Sequence, residues 1–170
     1  MGNGFTHEAG PYNENVEWYT PPHLFEALGV GFDLDPCSPG EGKCFTPARK
    51  HYTIADDGLS QPWEGFVWCN PPYGKHTGDW LLRMRDHGDG IALVFARTGT
   101  RWFQEVAPSA SSILFIAGRI RFVSGANGEV GSTAGADSVL LGWGDLADEA
   151  LFWCNLGLYG RLKKPDLPEQ

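Results

Sequence analysis

Residues 66–76, "FVWCNPPYGKH", join an apolar run to an amide, two prolines and a phenol ring. Proline has no N–H for a β-ladder and disfavours helical geometry in the residue before it. A buried strand therefore has to end at this point, with Asn70 and Tyr73 at its carboxyl end. The Asn70 side-chain oxygen and the Pro71 carbonyl are two acceptors held by rigid rings, and two converging acceptors suit an NH₂ group with two hydrogens to give. Tyr73 can lie flat on a planar heterocycle. The set reads as a cradle for the exocyclic amine of a base that has left its stack.

Two further polar stretches share this character: "DLDPCSPGEG", where Pro36 stops a strand at Asp35, and "IADDGL", with Asp56 and Asp57. Each alone is a common turn former, so one alternative is a plain α/β module whose prolines only build turns. In an open α/β sheet, however, ligands bind outside the carboxyl ends of the strands, where three such stretches in this order would meet.

The elements that must position them are short. "YTPPHLFEALG" predicts a helix capped by Thr20 and stopped by Gly29, and "VGFDLD" a strand. Residues 37–65 read as loop with at most a short helix. "FVWC" is a buried strand, "HTGDWLLRMRDHG" a helix with Thr77 as cap, "GIALVFA" a strand and "TRWFQEVA" a helix. "SSILFIAGRIRFVSG" predicts two strands or a hairpin, and residues 124–136 a glycine-rich mobile loop. "SVLLGWG", "DLADEALFWCNLG" and "LYGRLK" follow as strand, helix and strand. The expectation is one α/β domain over residues 16–164, with a mostly parallel sheet covered on both faces, a flexible N-terminus at 1–15 and a tail at 165–170.

Composition bounds the rest. The chain has 170 residues, 42% of them hydrophobic, enough for one substantial core. No apolar run approaches the ~20 residues a bilayer span needs, and no secretory signal is recognisable, so a cytoplasmic protein without a membrane partner is expected. The four cysteines lack CxxC spacing. A site from Cys37, Cys44 and His51 is conceivable, but reduced thiols and no metal are the expectation. The net charge of −8 hides an asymmetry. Residues 70–135 hold 7 bases against 5 acids, six of the bases arginine, while residues 1–69 hold 3 bases against 10 acids. A local positive face on an acidic body can meet a phosphate backbone, although surface ion pairs use arginines as often.

"NPPY", with "EWYTPPHLFEAL", "DLDPCS", "DDGLSQPWEGFVWCNPPYG", "ARTGTRWF" and "GRIRF" around it, resembles the phage-type DNA adenine-N6 methyltransferases, which are Dam-like and S-adenosylmethionine-dependent. The resemblance runs from Val16 to Trp143. It implies a single-domain Rossmann-like methyltransferase fold and DNA as partner, in a bacterial host cytoplasm if phage-encoded. Asn70, Pro71, Pro72 and Tyr73 match the catalytic tetrapeptide. Asp35, Pro36 and Cys37 match the motif beside the methionine part of S-adenosylmethionine. Asp57, or Asp56, matches the acidic position near the cofactor's adenine, Trp18, Tyr19, Thr20 and Pro21 help close the pocket, and Asn70 is expected to touch the cofactor as well. Arg97, Arg101, Arg119 and Arg121 are candidates for phosphate or base contacts. Two departures stand out: the glycine-rich loop after the first strand is reduced to "DPCSPGEG", and only about 20 residues separate Asp35 from Asp56. For the ribose-binding acid, Glu41 is the candidate. With no separate recognition domain, site specificity is expected to be short, loose or aided by a homodimer. The competing functions are an amino-methyltransferase on cytosine-N4, RNA or protein glutamine, and a silent nucleic-acid-binding subunit.

Overall fold

The computed structural model describes residues 18–125 and 127–162. The expected mobile N-terminus 1–15 and the tail 165–170 lie outside them. Two sheets are present. The larger is built from β2 (Phe32–Asp35), β3 (Ala48–His51), β4 (Val67–Cys69), β5 (Gly90–Phe95), β6 (Ser112–Ile116), β9 (Ser138–Trp143) and β10 (Gly157–Arg161), in the order β10-β6-β9-β5-β4-β2-β3. The smaller joins β1 (Trp18–Tyr19), β7 (Arg121–Ser124) and β8 (Val130–Thr133) in the order β1-β7-β8.

The half of the large sheet that carries the polar strand ends is parallel, through the pairs β2–β3, β2–β4 and β4–β5. The other half is antiparallel, through β5–β9, β6–β9 and β10–β6, so the sheet is mixed. Four helices cover it: α1 (Pro22–Leu28), α2 (Thr77–His87), α3 (Arg101–Val106) and α4 (Asp145–Trp153). The central strands are apolar on both faces, as burial between helices requires. On β5, Ile91, Leu93 and Phe95 join the cluster under α1 and α4, while Ala92 and Val94 join the one under α2 and α3.

Local chemistry explains most boundaries. Gly29 and Gly88 close α1 and α2 in left-handed geometry, with φ of 64° and 75°. Three expectations need correction. Thr20 does not cap α1: Pro21 holds that position with no side-chain cap. Thr77 is the first residue of α2, not its cap, and its hydroxyl turns back to the preceding loop. The segment 124–136 is not simply a loop, because β8 lies inside it and pairs with β7. β6 and β7, read as a possible hairpin, belong to different sheets.

β3 was also missed. The connection from β2 to β3 contains no helix, only turns over residues 36–47. That is how a parallel crossover fits between Asp35 and Asp56, the spacing too short for a helix as well. No helix among the described residues is long and apolar enough to cross a membrane.

Candidate active site

The chain runs from β2 outward to β3, then returns to place β4 on the other side of β2 and β5 beyond it. The direction of strand addition thus reverses between β2 and β4, the kind of switch point where α/β sheets open a crevice. β2 ends at Asp35, β4 is followed by Asn70, and the register pairs Leu34 with Val67. Both polar ends lie at the same edge of the sheet, flanking the reversal. Asp56 and Asp57 follow β3 on that edge.

Side-chain contacts draw the motifs together. Cys37 Sγ donates to the Asn70 carbonyl at 3.2 Å, and the Cys37 N–H donates to Asp35 Oδ1 at 3.3 Å. Asn70 Nδ2 donates to Thr20 Oγ1 at 3.2 Å, linking residues 50 apart in the chain. Thr20 reaches this place because α1 is anchored: Phe25 packs edge-on to Trp68, ring centroids 4.8 Å apart, two residues before Asn70. Past the asparagine, the Thr77 hydroxyl donates to the Pro72 carbonyl and accepts the Gly74 N–H, both at 2.9 Å. The tetrapeptide is therefore held at both ends.

Asn70 Oδ1 is shielded from solvent and has no hydrogen-bond partner among the described residues. A buried carbonyl left unpaired costs roughly 1–3 kcal/mol. Such a group calls for an explanation, and a donor that arrives with a ligand is one.

Asp35 is the second costly group. It is only 4% exposed, and no ion pair to it exists among the described residues. Burial lifts its carboxyl pKa from 3.8 to about 6, against hydrogen bonds from Thr46 and the Cys37 N–H that pull it down. At neutral pH it is a buried negative charge held by hydrogen bonds, with no ion-pair partner among the described residues, and is suited to a cation. Cys37 is not a nucleophile in waiting. A hydrogen bond with Cys69, burial and the Asp35 charge hold its thiol well above the usual range, and Cys69 itself is buried.

Tyr73 lies parallel to Phe95, the last residue of β5, with centroids 4.0 Å apart and planes 14° apart. Arg97 sits 5.9 Å from the same Phe95 ring. Tyr73 keeps 37% of its surface exposed. Phe95 thus backs the tyrosine ring, a role its place in an apolar strand did not signal.

The acidic pair divides unequally. Asp56 accepts the Thr53 N–H and hydroxyl, both at 2.8 Å, and is occupied by its own turn. Asp57, in left-handed geometry with φ of 52°, takes the Ser60 hydroxyl. The next residue ties this loop to Asp35. A Cβ on Gly58 would meet the Pro36 carbonyl oxygen at 1.9 Å and the Trp80 ring at 3.2 Å. Gly58→Ala must push the Asp35–Cys37 turn away, at a cost of about 1–3 kcal/mol. The expected result is a lower melting temperature, and an unchanged one would show that the two loops are not pressed together.

Of the candidate arginines, Arg97 and Arg101 are exposed beyond the end of β5, near the Tyr73 edge. Arg119 is paired with Asp137 at 3.2 Å, and Arg121 starts β7 in the small sheet. Trp18 and Tyr19 form β1 against Ser124 and Val123. Glu41 is exposed in the turns between β2 and β3. The donor cluster that does form is Asp35, Cys44 and His51, with ligand atoms within 4.8 Å, while Cys37 turns to Asn70. Ser38 Oγ is hydrogen-bonded to His51 Nδ1 at 2.9 Å and lies 3.5 Å from Cys44 Sγ, so polar contacts account for this cluster as it stands. Two surface recesses lie elsewhere, one beside α4 and Arg161, the other beside Asp33 and Tyr52.

With the corner at a switch point, a family model described as DNA N-6-adenine-methyltransferase (Dam) matches residues 9–155. The chain belongs to this family. The match spans every strand end described above, from Thr20 to Phe95, and takes in the whole of α4. No curated protein and no solved structure matches this Dam-family chain.

Proposed function

We propose that this Dam-family chain is a DNA adenine-N6 methyltransferase. It transfers a methyl group from S-adenosylmethionine to the 6-amino group of an adenine rotated out of the helix. The observation that carries this reading is the Asn70 side-chain oxygen, Oδ1, buried and unpaired beside the switch point, with its amide tied at Nδ2 to Thr20. An exocyclic amine is the donor it lacks, and the Pro71 carbonyl is the second acceptor alongside.

The 6-amino nitrogen is a weak nucleophile because its lone pair is delocalised into the ring. Asn70 Oδ1 and the Pro71 carbonyl accept its two hydrogens and favour a more tetrahedral nitrogen, returning the lone pair to it. Tyr73, backed by Phe95, supplies the stacking surface that holds the base in line. The nitrogen loses one proton to solvent, and no dedicated base is needed.

S-adenosylmethionine, when bound, supplies an already activated sulfonium methyl. The residues present fit it: Asp35 is a buried carboxylate awaiting a cation, and the α-ammonium of the methionine moiety is one. Pro36 and Cys37 shape the same turn. Asp57 is the acidic position assigned to the cofactor's adenine amine; it accepts one hydroxyl, from Ser60, whereas Asp56 closes its own turn through two bonds from Thr53. Trp18 and Tyr19 help close the pocket from the small sheet, and the large sheet is read as Rossmann-like. Arg97, Arg101 and Arg121 contact the DNA backbone or base edges, with Arg119 freed only if its pair with Asp137 opens.

Incubation with tritiated-methyl S-adenosylmethionine and DNA, RNA or protein in parallel tests the reading. Label in DNA alone is expected. Label only in RNA or protein would redirect the substrate, and none at all would support a silent binding subunit.

A further inference from the structure

A primary carboxamide has two ends of nearly equal size and opposite hydrogen-bonding sense. Nothing within Asn70-Pro-Pro-Tyr decides which end faces an incoming amine. If Nδ2 faced it, donor would meet donor and the cradle would repel the group it is shaped to hold. Another residue must choose.

Thr20 is placed to make that choice: a hydroxyl can accept from Nδ2 or donate to Oδ1, and here it accepts. It is 5% exposed, and its Oγ1 is the acceptor for Asn70 Nδ2 at 3.2 Å. Its hydroxyl is not used on the helix that follows, since Pro21 holds the N-cap of α1 without a side-chain bond. Its backbone is constrained from both sides. Tyr19 is paired with Val123, and Pro21 keeps the residue before it extended. The consequence is visible at the other end of the amide, where Oδ1 is left buried and without a partner.

We propose that Thr20 is a positioning residue: its hydroxyl fixes the Asn70 amide so that the oxygen, not the NH₂, is presented to the substrate amine. The inference rests on the function proposed above and differs from the expectation that Thr20 serves the cofactor. Thr20→Val keeps the shape and removes the acceptor, while Thr20→Ser restores it.

The test has two parts. In steady-state methylation of DNA, Thr20→Val is expected to lower kcat about tenfold or more, with KM for S-adenosylmethionine changed less than about twofold and Thr20→Ser close to wild type. An unchanged kcat, or a raised cofactor KM at wild-type kcat, would overturn the proposal. Independently of activity, one Asn70 side-chain NH resonance, assigned by its loss in Asn70→Asp, is expected to be protected from hydrogen exchange in the wild type. That protection should persist in Thr20→Ser. A wild-type amide that exchanges freely would refute the positioning role even if the enzyme works. A protected amide in a protein that methylates nothing would refute the proposed function instead.

Discussion

Asn70→Ala abolishes methyl transfer, lowering the rate by about a hundredfold or more, while S-adenosylmethionine affinity stays within a few-fold. The magnitude follows from what is removed. The side-chain oxygen acts where the nitrogen changes geometry, and losing one preorganised polar group at such a point costs roughly 10²–10³ in rate. The protein should fold normally, because the orphaned oxygen already costs stability in the free enzyme. Single-turnover kinetics with saturating cofactor, beside calorimetric binding, separate the two effects. A fully active variant would remove Asn70 from the chemistry.

Asp35→Asn has two expected effects of opposite sign. It removes the charge that would meet the cofactor's ammonium, so calorimetric affinity for S-adenosylmethionine falls by about a hundredfold. It also removes a buried, unpaired carboxylate, so the cofactor-free protein becomes more stable at neutral pH. The rise from 3.8 to about 6 sets the scale of that second effect at about 3 kcal/mol. The pH dependence follows. Between about pH 4 and 6 the native protein binds a proton that the unfolded chain does not, so this group's penalty starts to shrink as pH falls through 6 and is gone near pH 4. Cofactor affinity moves the other way, weakening below about pH 6 as the carboxyl becomes neutral. Both slopes should be absent in the variant. Equal affinity for wild type and Asp35→Asn would contradict the assignment.

The strand ends were legible because proline announces them. Pro36 and Pro71 follow Asp35 and Asn70 directly, and apolar residues on both faces mark β4 and β5 as buried, while β2 alternates Phe32 and Leu34 with Asp33 and Asp35. β3 was not legible. "ARKH" is an edge strand with no fully buried residue, and edges are commonly protected by charge, which erases the hydrophobic pattern. β8, "VGST", fails for the same reason: it is largely exposed and sits among turn-forming glycines. The antiparallel half of the sheet was hidden because strand direction leaves no trace in "SVLLGW", which is buried on both faces either way.

Within the site, residue types pointed to Asn70, Asp35 and Tyr73. They could not show that Thr20 turns from helix capping to Asn70, nor that Phe95 lies under Tyr73. Both depend on contacts between segments 50 and 22 residues apart.

The most direct test is mass spectrometry of nucleosides from unmethylated DNA incubated with S-adenosylmethionine and either the wild-type protein or Asn70→Ala. N6-methyl-2′-deoxyadenosine from the wild type alone is the expected result. N4-methyl-2′-deoxycytidine in its place, or equal N6-methyl-2′-deoxyadenosine from both proteins, would contradict an amide corner that holds the adenine amine.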